Sequence, residues 1–253
     1  MILEEVKDKK EYRGLSDAFV SRVVHLYDGK YNIYVEKEKK KLIKEVRAKL
    51  RELYGAFRLP GYQKKEKILV QMKSWDDKET AERILSLHMS TLERMHSYQK
   101  LYARLQQEIP FKTVLDIGCG LNVFSLPWMG RVDYYGIDVN KDEVDFCNVY
   151  LKKFELTGGV RWGDVLSLDT VVKTDVCFLF KVLEGFEALE RGSTEKLLKK
   201  ITSPYIVASF ATRSLGGGKA ISARRLKWFE ALVPAAEKFS LGGEVYYIIK
   251  RNV

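Results

Sequence analysis

Apolar residues in the first part of the chain recur at helical spacing. Phe19, Val20, Val23, Val24 and Leu26 fall along a segment that Ser16 can cap and Asp28-Gly29 can end. Leu42, Ile43, Val46, Leu50 and Leu53 make a second stripe through residues 36–54, with lysines opposite. The run from Gly55 to Gly61, which contains Phe57 and Pro60, interrupts it. Asp76 and Asp77 open another helical region, and Thr91 to Gln107 continue it up to Pro110. After Pro110 the period changes. TVLDI (113–117), VDYYGID (132–138), VRWGD (160–164), TDVCFLFKVL (174–183) and PYIVASF (204–210) are apolar runs of the kind that form strands buried on both faces. Amphipathic stretches separate them. Residues 238–240, Gly242-Gly243 and EVYYIIKRN (244–252) predict a hairpin at the sheet edge. The pattern predicts an α/β chain with a helical domain over 1–75 and a Rossmann-like, seven-stranded mixed sheet over 76–253.

The turn after the first of these strands carries the candidate chemistry. Asp116 ends the apolar run, Gly118 and Gly120 follow, and Asp138 closes the next strand 22 residues later. Glycines there let a ligand approach the backbone, and an acid at the second strand end can accept bonds from two vicinal ribose hydroxyls. The turn departs from GxGxxG, with Asp116 at its opening and Asn122 where a third glycine might stand, so it builds no pyrophosphate cradle. An acid in the turn suits a ligand with an amino group, which points to S-adenosylmethionine and a class I methyltransferase fold. Asp164, 26 residues beyond Asp138, is placed to accept from the adenine amino group; a helix cap would also select Asp there. Lys181 follows the fourth strand, at the sheet end where ligands bind, and suits an anionic group or the positioning of substrate. In LSLHMSTLERM (85–95), Thr91 can cap a helix, and Arg94 can grip a ligand carboxylate bidentately.

Charge adds a partner. The net charge is +10, and residues 1–110 hold 24 Lys/Arg against 17 Asp/Glu, whereas 111–253 hold 20 against 17. Within 35–73 the count is 13 against 5. Such a basic segment beside a nearly neutral nucleotide-binding core predicts a polyanionic partner, with Lys64, Lys65 and Lys67 as candidate contacts. A solvated Lys/Glu helix face is the alternative. TRSLGGGKAISARRLKWFE (212–230) adds Arg213, Arg224 and Arg225 on a glycine-rich loop and helix suited to a phosphate backbone. Trp228 and Phe229 read as core. The three cysteines sit in apolar surroundings, which argues for reduced core thiols in a cytoplasmic protein and against a disulfide framework or metal site. No apolar run reaches the length of a membrane span, and the first residues lack a signal-peptide pattern. Neither a Pro-Cys pair nor an NPP[FY] tetrad is present. A ring nitrogen with a free lone pair, such as guanine N7, would need neither a nucleophile nor a base.

Taken together, LSLHMSTLERM, VLDIGCGLN, FLFKVLEGFEALERG, SFATRSLGGGKA, the WFE at 228–230 and GGEVYYIIKRN resemble the aminoglycoside-resistance 16S ribosomal RNA methyltransferases, which act on guanine N7 in the decoding site. The resemblance runs through essentially the whole chain. It implies that His88, Met89, Ser90 and Arg94 belong to the cofactor site, with Arg94 on the methionine carboxylate. It implies Phe57 as an aromatic near the cofactor, Asp138 on the ribose and Asp164 with Val165 on the adenine, with Phe180 and Leu189 as further contacts. The implied partner is 16S rRNA in the small subunit, met by a monomer away from membranes. Departures touch the substrate side: Ala211 where the family has Pro, Ala220-Ile221-Ser222 after the glycine loop, and Asn122-Val123 in the first turn. Other targets therefore stay open: another RNA position such as adenine N1, a small metabolite, or RNA binding without turnover.

Overall fold

Local capping sets the helix starts. Ser16 Oγ accepts from Phe19 N–H at 3.3 Å and opens the helix Asp17–His25; Asp77 accepts from Thr80 N–H at 3.1 Å and opens the helix Lys78–Leu85. Asn140 caps the helix Lys141–Lys153 through the N–H groups of Asp142 and Glu143. The computed structural model describes residues 2–214 and 218–251. The helices are α1 (Ile2–Lys7), α2 (Asp17–His25), α3 (Glu36–Leu53), α4 (Lys65–Gln71), α5 (Lys78–Leu85), α6 (Met89–Met95) and α7 (Tyr98–Glu108) before the sheet. Within it come α8 (Leu126–Met129), α9 (Lys141–Lys153), α10 (Leu183–Leu189), α11 (Ser193–Lys200) and α12 (Lys227–Leu232).

Seven strands form one sheet: β1 (Thr113–Ile117), β2 (Asp133–Asp138), β3 (Gly158–Trp162), β4 (Val176–Phe180), β5 (Tyr205–Ala211), β6 (Glu237–Leu241) and β7 (Glu244–Lys250), in the order β3-β2-β1-β4-β5-β7-β6. The first five run parallel, and β7 is antiparallel to both β5 and β6. Strand order reverses between β1 and β4, and a ligand crevice is expected outside the carboxyl ends at such a point. The third strand ends earlier than expected. Gly163 N–H turns to the Asp138 carbonyl at 2.9 Å, and Asp164 starts a 3-10 turn instead of closing the strand.

Each face of the sheet has its own apolar layer. Val114, Tyr134, Phe178 and Tyr246 pack under residues of α5, α7 and α9. Leu115, Ile117, Leu179 and Ala208 pack against residues of α10, α11 and α12. A third cluster, from Val6 to Tyr54, closes on Leu189 of α10, whereas Tyr62, Leu69 and Met72 join the first layer. The N-terminal region docks through backbone bonds onto the segment after β2: Ser16 N–H to Val139 O and Lys141 N–H to Gly14 O, both 2.8 Å. Cys119, Cys147 and Cys177 are free and buried. Among the described residues, no helix is long and apolar enough to cross a membrane.

Candidate active site

A cavity of about 350 Å³ opens at the carboxyl ends of β1, β2 and β4, and Phe19, Tyr54 and Phe57 of the N-terminal region form its far wall. Its floor is the turn after β1. Gly118 has φ +69°, and a Cβ there would lie 2.4 Å from Val182 Cγ1, so only glycine fits without displacing that side chain. Gly120 has φ +47°. Gly118 N–H donates to the Ile137 carbonyl at 2.8 Å, which ties the turn to β2. Asp138, at the end of β2, accepts from Gly120 N–H at 2.9 Å and Asn140 N–H at 3.0 Å. Burial, with Glu143 nearby, raises its pKa to about 7 despite those two bonds.

Of the expected cofactor residues, Phe57, His88, Ser90, Gly118, Gly120, Asp138, Val165, Phe180 and Leu189 line the cavity, as does Lys181. The His88 ring stacks on Phe57 with centroids 5.6 Å apart, and its buried Nδ1 has no protein partner. Burial holds the His88 pKa below the ordinary value, against the pull of Glu143. Lys181 takes a left-handed conformation (φ +58°), an unfavourable one for a side chain of this type. Its Nζ lies 2.7 Å from Glu93 and 3.5 Å from Glu244.

Asp116, Asp164, Arg94 and Met89 are not on the cavity wall. Asp116 Oδ2 accepts from Tyr134 OH at 2.6 Å and Asn122 Nδ2 at 2.7 Å, so this oxygen braces the turn. Asn122, at the place of a third glycine, passes the brace on by accepting from Tyr98 OH at 2.9 Å. Asp164 realises the capping alternative: Oδ1 accepts from Leu166 N–H at 3.0 Å, and Oδ2 is held by Arg22 Nε at 2.9 Å. Its neighbours Gly163 and Val165 line the cavity. The two-nitrogen grip expected of Arg94 on a carboxylate is already used. Its Nε and Nη2 lie 3.1 Å from Glu244, and its guanidinium covers the Phe180 ring at 4.6 Å.

Several residues escaped the sequence reading. Glu244 is 2% exposed and gathers Arg94, Lys181 and Ser209 Oγ (2.6 Å). Arg94, Lys181 and Ser209 outweigh the effect of burial and hold its pKa below the usual carboxylate range. Glu143 gathers Tyr54, Arg58 and Tyr62. Arg22 links α2 to Asp164, Ser167 and Glu190.

The RNA candidates divide. Lys64, Lys67, Arg213 and Arg224 are exposed. Lys65 is 7% exposed, paired with Glu66 at 2.6 Å and seated over Tyr62 and Phe146, so it is not a surface contact. Arg225 donates to the Ala211 carbonyl at 2.6 Å and pairs with Glu184 at 2.5 Å, which makes it a brace for the loop base. Phe229 is buried against Phe210 and Trp228 packs beside it, both in the core as read. Leu215, Gly216 and Gly217 lie outside the described residues.

The family described as Ribosomal RNA methyltransferase (FmrO) matches residues 9–238. The chain belongs to this family. It is 30% identical to the 16S rRNA (guanine(1405)-N(7))-methyltransferase of Serratia marcescens, over 99% of this chain and 97% of that protein. The Proteus mirabilis protein of the same name is also 30% identical, over 84% and 85%. The 16S rRNA methyltransferase RmtF, crystallised with S-adenosyl-L-homocysteine, superposes with a TM-score of 0.86 at 27% identity, over 99% and 97% of the two chains. RmtB gives 0.82 at 26%, over the same shares. The chain is an rRNA methyltransferase, and its cofactor is S-adenosylmethionine. The cavity fits that molecule: two glycines give it a bare backbone floor, Asp138 stands at a strand end, and two buried polar atoms on its wall, His88 Nδ1 and Glu143 Oε2, lack protein partners.

Proposed function

We propose that this chain methylates guanine N7 in the decoding region of 16S rRNA within the small ribosomal subunit, and that the modification confers aminoglycoside resistance. It acts as a cytoplasmic monomer, with residues 1–75 recognising RNA and residues 76–253 carrying catalysis. The observation that carries this reading is the chemistry at the end of β4. Lys181, ion-paired with Glu93 and Glu244, stands on the cavity wall, where it is arranged to position a base. When bound, S-adenosylmethionine supplies a sulfonium methyl group, which the lone pair of guanine N7 can take with no proton to lose. The names of the Serratia and Proteus relatives, both guanine-N7 enzymes, support the same target.

Asp138 and the backbone at Gly118 and Gly120 would hold the ribose and methionine portions, and Val165 and Leu189 the adenine. Exposed Lys64 and Lys67 would meet phosphates on one side, and Arg213 and Arg224 on the other. Extrusion of the target base costs a few kcal/mol, less in an irregular loop. The test is to incubate small subunits with the protein and labelled cofactor, then treat the rRNA with borohydride and aniline. N7-methylguanine carries a fixed positive charge that makes its ring reducible, so a new strand break in the decoding region is expected. Labelled rRNA that resists cleavage would exclude N7 and turn attention to adenine N1 in that region.

A further inference from the structure

The Glu143 carboxylate is 1% exposed, and its two oxygens are treated differently. Oε1 accepts from Tyr54 OH, from Tyr62 OH at 2.9 Å and from Arg58 Nε at 3.3 Å. Oε2 is buried and has no protein partner. Native proteins rarely leave such an atom unpaired, and a charged oxygen is the costliest kind to strand. Glu143 lines the cavity, and Oε2 lies 4.0 Å from the point where a Cβ on Gly120 would stand. The His88 ring reaches within 3.6 Å of that same point, and Asp138 holds Gly120 N–H. The free oxygen therefore looks onto the glycine floor. Arg58, stacked over Tyr54 and Tyr62 at 5.2 and 4.7 Å, locks the other oxygen in place.

We propose that Glu143 is a second carboxylate of the cofactor site, whose Oε2 accepts a hydrogen bond from a donor on the ribose or methionine half of S-adenosylmethionine. Donors available there are the ribose hydroxyls and the α-ammonium group. Tyr54, Arg58 and Tyr62 act as positioning residues: they hold Oε1 and so aim Oε2. All three come from the segment following α3 or its last turn, so the grip on the cofactor depends on how that segment is docked. The proposal rests on the cofactor and is independent of which nucleotide is methylated.

The test is calorimetric titration of the full chain with S-adenosylhomocysteine, its 2′-deoxy and 3′-deoxy analogues, and 5′-methylthioadenosine, which lacks the amino-acid portion. Glu143→Gln keeps a carbonyl for the tyrosines and replaces Oε2 with an amide donor. It is expected to weaken S-adenosylhomocysteine by about 10-fold or more, the loss of one charge-assisted bond. That penalty should vanish for the probe lacking the partner group: 5′-methylthioadenosine if the partner is the ammonium, one deoxy analogue if it is a hydroxyl. Should Glu143→Gln fail to fold, Glu143→Asp keeps the charge, withdraws it by one methylene and should show the same selective loss. An unchanged Kd in a folded variant, or an equal penalty on every probe, would overturn the assignment. A parent protein that binds none of the four probes would instead undo the cofactor assignment.

Discussion

The ribose contact proposed for Asp138 predicts a cofactor affinity that depends on pH within the physiological range. Its carboxyl is buried at the end of β2, where burial first and Glu143 second raise its pKa from the usual 3.8 to about 7. Ribose hydroxyls are best accepted by the ionised form, so affinity for S-adenosylhomocysteine should be full above pH 7 and fall below it. With a single group, the loss approaches tenfold per pH unit, so a Kd about 10-fold weaker at pH 6 than at pH 8 is expected. The effect on the unliganded protein has the opposite sense. A carboxyl whose pKa is raised on folding adds stability that is complete below about pH 4 and is lost as pH rises through about 7. At about 1.4 kcal/mol for each pH unit between the two values, that amounts to about 4 kcal/mol. Calorimetric titrations and urea unfolding between pH 5 and 8, each repeated on Asp138→Asn, isolate this one group. The rate at saturating cofactor should stay level over roughly pH 6.5–8.5, because guanine N7 releases no proton. A pH-independent Kd in the parent would refute the ribose role of Asp138. A maximal rate that falls with the same apparent pKa would place this acid in the chemical step and refute the reasoning about N7.

Three further outcomes are expected. Glu244→Gln leaves the buried Arg94 charge without its counter-ion and should destabilise the fold by about 3–5 kcal/mol in denaturant unfolding, while Arg94→Met with Glu244→Leu recovers most of it; a loss below about 1 kcal/mol would contradict the pairing. Gly118→Ala meets both an unfavourable φ and the Val182 methyl, and should cost at least about 1–2 kcal/mol along with cofactor affinity. Adding Val182→Ala should remove the steric part, and failure to recover any stability would deny the clash. Charge reversal at Lys64 and Lys67 should weaken subunit binding and flatten its salt dependence, whereas reversal at Lys65 should show first as lost stability.

The strands and the glycine turn were legible because their signals are local. A β-branched run followed by Asp116, Gly118 and Gly120 carries its own geometry, and Ser16 caps α2 through an atom three residues away. Residues whose role depends on a distant partner were not legible. Glu244 begins a strand whose next five residues are apolar or aromatic, and that acid is the only trace of its role; the arginine it neutralises lies 150 positions earlier. Glu143 hides in the first turn of α9, where any acid is ordinary. Lys65 stands in a run of lysines with nothing local to separate it from Lys64 and Lys67, and Phe146, which helps to bury it, comes from the other side of the first turn. Asp164 was ambiguous because a strand-end ligand and a helix cap select the same residue. Arg22, which decides between them, reaches Asp164 from 142 positions away.

The placement of β7 has a consequence for biosynthesis. This strand lies inside the sheet, between β5 and β6, yet it occupies residues 244–250 and is made after both. Until it is translated, β5 and β6 lack the neighbour that joins them, and Arg94 lacks Glu244. At about 5–20 residues per second, the 150 positions between the two charges take roughly 8–30 s to translate. Through that interval the nascent chain carries a cation at a site that only the finished protein makes tolerable to bury. Closure of the nucleotide-binding half is thus deferred until late in translation, and a polypeptide stalled before residue 244 presents an open β5 edge for quality control to find.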